Sequence, residues 1–229
     1  MRVLISGNGR TCTNWMLTII AGTGLFKMTK RSEDRALPRR QEMKEGYGSK
    51  LCIENKGVEL DLFNMLLDKY DDLRILWCIR HPMANALAKI KRGCNAEGIP
   101  KSVDATKETA CDWIEKSYSW LESLSSKTGR VVAVKQEDLI LNGLSVIDGL
   151  FNYFGIEGGS PQIKKDILMN FKHTPNKNHS ARYGEKIDKS QAHIHINPFT
   201  AYDGYFKDRI DIISYLKKRL KPIVEKWYA

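Results

Sequence analysis

The 229-residue sequence has no stretch approaching the roughly 20 consecutive apolar residues that a membrane-spanning helix needs. Its first residues lack the basic region and apolar core of a secretory signal, so we expect a cytoplasmic protein. Internal repeats, low-complexity tracts and linkers rich in proline, glycine or serine are also absent. We therefore expect one domain that spans residues 1–229.

Cysteine is scarce as well. The chain has five cysteines, an odd number, and none of them form a close Cys-x-x-Cys pair. This pattern argues against a disulfide framework and a zinc site, and it predicts reduced thiols and no metal. His193 and His195 have the spacing of two ligands on an extended segment, but the sequence offers no evident third ligand.

Positive charge is in excess. The 37 Lys and Arg residues exceed the 27 Asp and Glu residues, which gives a formal net charge of +10. This excess indicates an anionic partner, and nucleic acid, a membrane surface, an acidic glycan and a phosphorylated cofactor all stay open. Many of the cations lie in Phe26–Ser49 and Lys172–Tyr205, two segments without a clear periodic pattern. Such segments are functional loops or disordered, and a charge run is often only a solvated surface.

Short apolar runs alternate with helical patterns along the chain. The runs are continuous rather than alternating, which is typical of strands buried on both faces of a parallel sheet. The predicted strands are Arg2–Ser6, Lys50–Ile53, Arg74–Ile79 and Val131–Lys135. The predicted helices are Asn14–Leu25, Val58–Lys69, Met83–Lys91, Lys107–Ser125, Leu144–Phe154, Pro161–Phe171 and Lys207–Trp227. The sequence therefore predicts an α/β fold with a mostly parallel central sheet flanked by helices.

A loop of small residues joins the first strand directly to the first helix. Backbone N–H groups and the helix dipole at such a junction favour an anion, and the Arg10 guanidinium adds a positive charge. The Walker pattern Gly-x-x-x-x-Gly-Lys-Ser/Thr fails, because Cys12-Thr13-Asn14 stands where Gly-Lys-Ser/Thr is required. The dinucleotide pattern Gly-x-Gly-x-x-Gly meets Cys12 at its third glycine, and a basic loop follows instead of a second strand.

A third pattern fits this loop better. The segment Gly9-Arg10-Thr11-Cys12-Thr13-Asn14-Trp15 resembles the 5′-phosphosulfate loop of sulfotransferases that use 3′-phosphoadenosine 5′-phosphosulfate (PAPS). The resemblance implies that these seven residues bind the donor, with Arg10 at the basic position and Trp15 at the helix-start aromatic. Cys12 replaces the usual glycine, which is a departure from the motif.

A second segment, Leu76–Ala88, resembles the 3′-phosphate element of the same family. Arg80 ends a strand and Pro82 begins a helix, and a guanidinium at the mouth of a buried strand can clamp a phosphate. The resemblance implies that Arg80 binds the 3′-phosphate. Ala88 occupies the position of a serine ligand, so we expect Lys89 or Asn85 to substitute for it. The alternative is an Arg80 that only pairs with an acidic residue near the sheet edge.

Two further segments extend the resemblance. Glu137-Asp138-Leu139 matches the family's Glu-Asp-Leu element, and Gly155 matches a glycine turn; we interpret both as helix-terminal architecture. Cys52-Ile53-Glu54-Asn55-Lys56-Gly57 resembles a Glu-Lys-Ser/Thr element with an inserted Asn. That resemblance implies Glu54 as a base and Lys56 as a phosphosulfate ligand, although an ion pair at the sheet edge explains them almost equally well.

The sequence hypothesis is thus a P-loop-like sulfotransferase fold. Its implied activity is sulfuryl transfer from PAPS to a hydroxyl or amine, with Arg10, Glu54 and Lys56 as catalytic residues. The acceptor is unidentified, and an acidic acceptor would suit the basic loop. Two alternatives remain: an ATP-dependent phosphotransferase of the P-loop type, and a non-catalytic basic protein that binds nucleotide or nucleic acid. The second is disfavoured because no nucleic-acid recognition motif is present.

Overall fold

The computed structural model describes residues 1–9, 11–28, 34–93, 106–156, 206 and 208–228. Several sequence predictions lie outside these ranges: the helix Pro161–Phe171, the basic segment Lys172–Tyr205 with His193 and His195, and Arg10.

The centre of the fold is a five-stranded sheet with the order β2-β3-β1-β4-β5. Its strands are β1 (Arg2–Gly7), β2 (Lys27–Met28), β3 (Tyr47–Cys52), β4 (Leu73–Ile79) and β5 (Val131–Lys135). All four neighbouring pairs are parallel. The predicted α/β fold with a parallel sheet is therefore confirmed.

Helices cover both faces of the sheet. They are α1 (Thr13–Gly22), α2 (Leu37–Arg40), α3 (Leu60–Lys69), α4 (Pro82–Gly93), α5 (Lys107–Ser125), α6 (Gln136–Leu141), α7 (Gly143–Tyr153) and α8 (Ile210–Tyr228). None of these described helices is both long enough and apolar enough to cross a membrane.

Alternate residues of the central strand serve opposite layers of the core. Leu4 packs with the cluster that α3, α4, α5 and α8 build on one face. Val3 and Ile5 pack with α1, α6 and α7 on the other face. All three side chains are 0% exposed. Burial of both faces explains why the strands appear in the sequence as continuous apolar runs.

The segment Phe26–Ser49, which had no predicted element, contains β2, α2 and the first half of β3. β2 has only two residues and one of them is Lys27, so the sequence contains no apolar run that would predict this strand. The strand β3 begins with Tyr47, Gly48 and Ser49, and these residues also break the pattern. Gly48 leaves room for the Met28 side chain, because a Cβ there would overlap the Met28 sulfur. This close approach of the edge strand β2 to β3 is not visible in the sequence periodicity.

The architectural predictions near the fourth predicted strand are confirmed. Glu137 and Asp138 lie in the first turn of α6, where negative charge complements the helix dipole. Gly155 has a φ of 66°, and the N–H of Ile156 bonds to the carbonyl oxygen of Phe151 at 2.9 Å. This is the left-handed glycine ending expected after a helix.

Candidate active site

The carboxyl ends of β1, β3 and β4 meet at one edge of the sheet, because neighbouring parallel strands point the same way. The helix after β1 covers one face, whereas the helices after β3 and β4 cover the other. In open α/β sheets, a crevice forms at the carboxyl edge where the connections diverge to opposite sides. The predicted phosphate loop lies at this edge.

Gly7 lets the central strand turn into that loop. Its φ is +130°, which side-chain-bearing residues rarely adopt, and a Cβ would overlap the backbone carbonyl of Cys78 on β4. The carbonyl of Gly7 also accepts a 3.2 Å hydrogen bond from the N–H of Ile53 after β3. The strand end is therefore held against both neighbouring strands. We call residues 8–12, which follow it, the β1–α1 loop.

Cys12 caps α1 in a left-handed conformation with φ 60° and ψ 12°. A residue with a side chain adopts this conformation at a cost of about 1 kcal/mol, which explains why the resembled motif has glycine here. The Cys12 carbonyl accepts the first helical hydrogen bond from the N–H of Met16 at 2.9 Å. Burial and a hydrogen bond with the Cys78 thiol raise the pKa of Cys12 well above its usual value. The thiol is therefore neutral at physiological pH and does not oppose an anion.

The hydroxyl residues and the tryptophan of the motif are directed inward. Thr11 is 3% exposed, and its hydroxyl donates to the carbonyl oxygen of Asn8. The Thr13 hydroxyl oxygen lies 3.8 Å from the Cys52 sulfur. Trp15 is 3% exposed and packs in the α1 layer of the core, where it anchors the start of the helix. Arg10, the charged member of the motif, lies outside the described residues.

Two asparagines tie the β1–α1 loop to α4. The Asn8 side-chain amide donates to the Asn85 amide oxygen at 3.2 Å, and the Asn85 amide donates to the Gly9 carbonyl at 3.2 Å. Asn8 is 2% exposed and Asn85 is 1% exposed. The sequence analysis offered Asn85 as a substitute for a missing serine. In the structure both ends of its amide bond to the loop.

Glu54 lies against the loop at Gly9. A Cβ on Gly9 would lie 2.5 Å from Glu54 Oε2, so this close approach needs glycine. The Glu54 carboxylate forms an ion pair with Lys89 of α4. The two side chains are 30% and 12% exposed, so the carboxylate is open to the surface while the ammonium is mostly covered. Lys89, the other candidate substitute for the serine, is thus directed to Glu54.

The two lysines near β3 occupy different environments. Lys56, predicted as a ligand, is exposed and lines a cavity with Arg35 and Arg39. Lys50 is 4% exposed, and its ammonium donates to the Asn14 side-chain oxygen in the first turn of α1 at 2.6 Å. Lys50 was not among the predicted site residues. The feature of the sequence that could have indicated it is a charged lysine at the start of an otherwise apolar predicted strand.

Arg80 lies where β4 ends and is 5% exposed. Its positive charge acts on the Cys12 thiol, so the two predicted phosphate elements lie close to each other. The Arg80 carbonyl accepts a 3.0 Å hydrogen bond from the Tyr118 hydroxyl. Ala88, at the position of the family's serine, is 6% exposed in α4 and offers no hydroxyl.

Comparisons with known proteins address the fold. No protein-family model matches the sequence, and no curated protein matches it. Solved structures do match. One is mouse sulfotransferase SULT7A1 complexed with PAP, at 11% identity and a TM-score of 0.54, covering 87% of this chain and 72% of that chain. Another is the sulfotransferase domain of the Synechococcus PCC 7002 olefin synthase, at 13% identity and a TM-score of 0.56. That match covers 88% of this chain and 86% of that chain. The chain has a sulfotransferase fold.

Within this sulfotransferase fold, the end of α8 is joined to the strand that carries Arg80. Glu137 accepts from the N–H of His81 at 2.9 Å with one oxygen and from the Tyr228 hydroxyl at 3.5 Å with the other. The hydroxyls of Tyr118 and Tyr228 are 3.3 Å apart. Burial raises the pKa of both tyrosines, so both stay protonated as donors. This network fixes the backbone on both sides of the Arg80 peptide.

His81 packs on the Tyr228 ring with a centroid separation of 5.0 Å and is 9% exposed. Burial and the adjacent Arg80 lower the pKa of His81 to about 4, so the imidazole is neutral at physiological pH. Among the described residues, no group of three or more His, Cys, Asp and Glu side chains is arranged to hold a metal ion.

Proposed function

We propose that the protein is a PAPS-dependent sulfotransferase that transfers a sulfuryl group to a hydroxyl or amine of an acceptor. One observation supports this proposal above the others: buried Arg80 lies beside the β1–α1 loop at the carboxyl edge of a sulfotransferase fold. A guanidinium next to a helix N-terminus suits a ligand with two separate phosphate groups. The mouse structural neighbour was solved with PAP.

The residues present fit such a donor. The N–H groups of Gly9–Trp15 and the dipole of α1 would hold the 5′-phosphosulfate, together with Arg10. Arg80 would hold the 3′-phosphate. Buried Lys50, at the first turn of α1, adds a cation that the motif itself did not predict. Gly9 supports the fit because a side chain there would collide with Glu54 and crowd the loop.

Glu54 is the carboxylate best situated to serve as the base. Its ion pair with Lys89 requires the charged form, which is the form that can accept a proton. In the proposed reaction the acceptor hydroxyl gives its proton to Glu54 as its oxygen attacks. PAPS supplies the sulfuryl group, and adenosine 3′,5′-bisphosphate (PAP) departs. Arg10 and the loop N–H groups then stabilise the charge that grows on the departing phosphate.

The experiment is a release assay for PAP with PAPS as donor and a panel of sugars, phenols, lipids and glycans as acceptors. Replacement Arg10→Ala is expected to lower turnover by about 10²–10³-fold, because charge on the leaving group loses a preorganised donor. Replacement Glu54→Gln is expected to lower kcat by about 10²–10⁴-fold while the Kd for PAP changes little. It should also abolish the acidic limb of the pH–rate profile.

Glu59→Gln is the matched control. Glu59 is an exposed carboxylate that pairs with Lys116 of α5 at 3.4 Å, so its removal should leave turnover unchanged. Wild-type turnover in Arg10→Ala would contradict the assignment of the donor loop. Wild-type turnover in Glu54→Gln would remove Glu54 as the base but would leave the donor assignment standing.

A further inference from the structure

Beside the proposed base is a cavity of about 400 Å³, within the usual volume range of ligand pockets. Among the described residues, it is lined by Arg35, Pro38, Arg39, Asn55, Lys56 and Gly57, which include three cationic side chains and no carboxylate. We call it the basic cavity. A concave surface lined by charges of one sign concentrates the electric field and attracts counter-ions.

Two elements build this cavity. The turn after β3 is closed by hydrogen bonds from the Asn55 N–H and side-chain amide to the Cys52 carbonyl, at 3.2 and 3.0 Å. That turn meets α2, since a Cβ on Gly57 would lie 3.7 Å from Pro38 Cβ. Gly57 has a φ of +79°, so the turn geometry also favours glycine. The cavity walls are thus set by backbone structure.

The described acidic residues that adjoin the cavity in sequence are paired with groups outside its lining. Glu54, next to Asn55, pairs with Lys89, and Asp34, next to Arg35, is buried and bonds to Arg40 at 2.7 Å and to the Ser49 hydroxyl at 3.1 Å. Within the described residues, Arg39 and Lys56 form no ion pair. Arg35 and Arg39 both line the cavity, and like charges that face one cavity repel each other. An anion bound between them would relieve that repulsion.

The cavity also adjoins the reaction centre. Lys56 follows Glu54 by two positions, so their backbones are within about 7 Å of each other. Glu54 is directed to the β1–α1 loop, whereas Asn55, Lys56 and Gly57 line the cavity. A molecule whose hydroxyl reached Glu54 would therefore extend over the basic cavity. A basic surface that is merely solvated would be neither concave nor next to the proposed base Glu54.

We infer that the basic cavity binds an anionic group of the acceptor, a carboxylate, sulfate or phosphate, while the nucleophilic hydroxyl faces Glu54. This inference rests on the proposed function, because the word acceptor assumes sulfuryl transfer. Arg35, Arg39 and Lys56 then select acidic acceptors over neutral ones. Arg39 and Lys56 are the residues to test, because both are exposed and their loss leaves the walls intact.

The test is a titration of the full chain, saturated with PAP, followed by NMR of its backbone amides. The probes are glucuronic acid, glucose 6-sulfate and glucose 6-phosphate, with neutral glucose for comparison. We expect at least one anionic probe to shift the signals of Asn55–Gly57 with a Kd about tenfold or more below that of glucose. The rank order of the three probes identifies the anion that the cavity prefers.

The variant Arg39→Ala/Lys56→Ala should raise the Kd of the preferred probe about tenfold, to the value for glucose. The matched control Lys217→Ala/Lys218→Ala removes two exposed charges from α8 and should change that Kd by less than about twofold. An anionic probe that binds no better than glucose, or equally well to both double variants, would overturn the inference.

The titration also separates this inference from the proposed function. PAP binding is measured first, and the anionic probes can be titrated with or without PAP. A chain that binds PAP but no anionic probe retains the proposed function and loses the anion site. A chain that binds anionic probes in the cavity but does not bind PAP overturns the acceptor role.

Discussion

The described polar side chains of the β1–α1 loop, Asn8 and Thr11, are buried and hydrogen-bonded, whereas the cations of the basic cavity are exposed. Thr11 and Asn8 are 3% and 2% exposed, and Asn85 joins the loop to α4. Arg39 and Lys56 contact no carboxylate among the described residues. The first region is preorganised by backbone geometry, and few substitutions can fit there. The second is exposed, so its charges can be changed by substitution without disturbing the core.

The largest effect is expected from a side chain on the central strand end. Gly7→Ala forces a Cβ onto the Cys78 carbonyl at a φ of +130°. We expect the free energy of unfolding to fall by about 4 kcal/mol or more, because the overlap is with backbone and cannot be relieved by a rotamer change. Urea denaturation measures it. Gly129→Ala is the control, since a Cβ there meets nothing within 4 Å. Equal stability of the two variants would show that the strand end tolerates a side chain.

The next effect concerns affinity for the donor product. Arg80→Lys keeps the charge at the end of β4 but loses the planar fork that can bond two phosphate oxygens. We expect the Kd for PAP to rise about 10–100-fold in calorimetry. Arg74→Lys, at the opposite end of the same strand, should leave it within about twofold. If the two variants bind PAP equally, Arg80 is a structural residue.

A smaller effect, caused by His81, is expected in the pH dependence of the free energy of unfolding. The pKa of His81 is lowered to about 4 by burial and by Arg80, whereas an unfolded histidine titrates near 6.5. Between these two pKa values the histidine is protonated in the unfolded chain but not in the folded chain. The free energy of unfolding therefore falls as the pH drops from about 6.5 toward 4. Allowing for partial solvent contact, we expect a loss of about 2 kcal/mol. His81→Gln should remove this component from denaturation curves measured between pH 7 and 4.5, and an unchanged slope would refute it.

The parts of the fold and of the candidate site that could be predicted are those that produce a local pattern in the sequence. Strands buried on both faces produce continuous apolar runs. Arg80 directly follows one of these runs, the strand β4. The Asn8–Asn85 and Glu137–Tyr228 contacts join residues 77 and 91 positions apart, so no periodicity encodes them. The basic cavity depends on where the turn after β3 meets α2, a four-residue helix too short for a helical pattern. The α/β layers and the placement of the loop and of Arg80 at strand ends are therefore predictable from the sequence, but the contacts between these elements are not.

In the proposed function, the β1–α1 loop and Arg80 bind an adenosine nucleotide with two separate phosphate groups. Calorimetry of the wild-type chain with PAP, and separately with ATP and Mg²⁺, measures this binding. We predict a micromolar Kd for PAP in the absence of metal, and binding of ATP that is at least about tenfold weaker. Tighter binding of ATP with Mg²⁺, with no measurable binding of PAP, would contradict the account and favour a phosphotransferase.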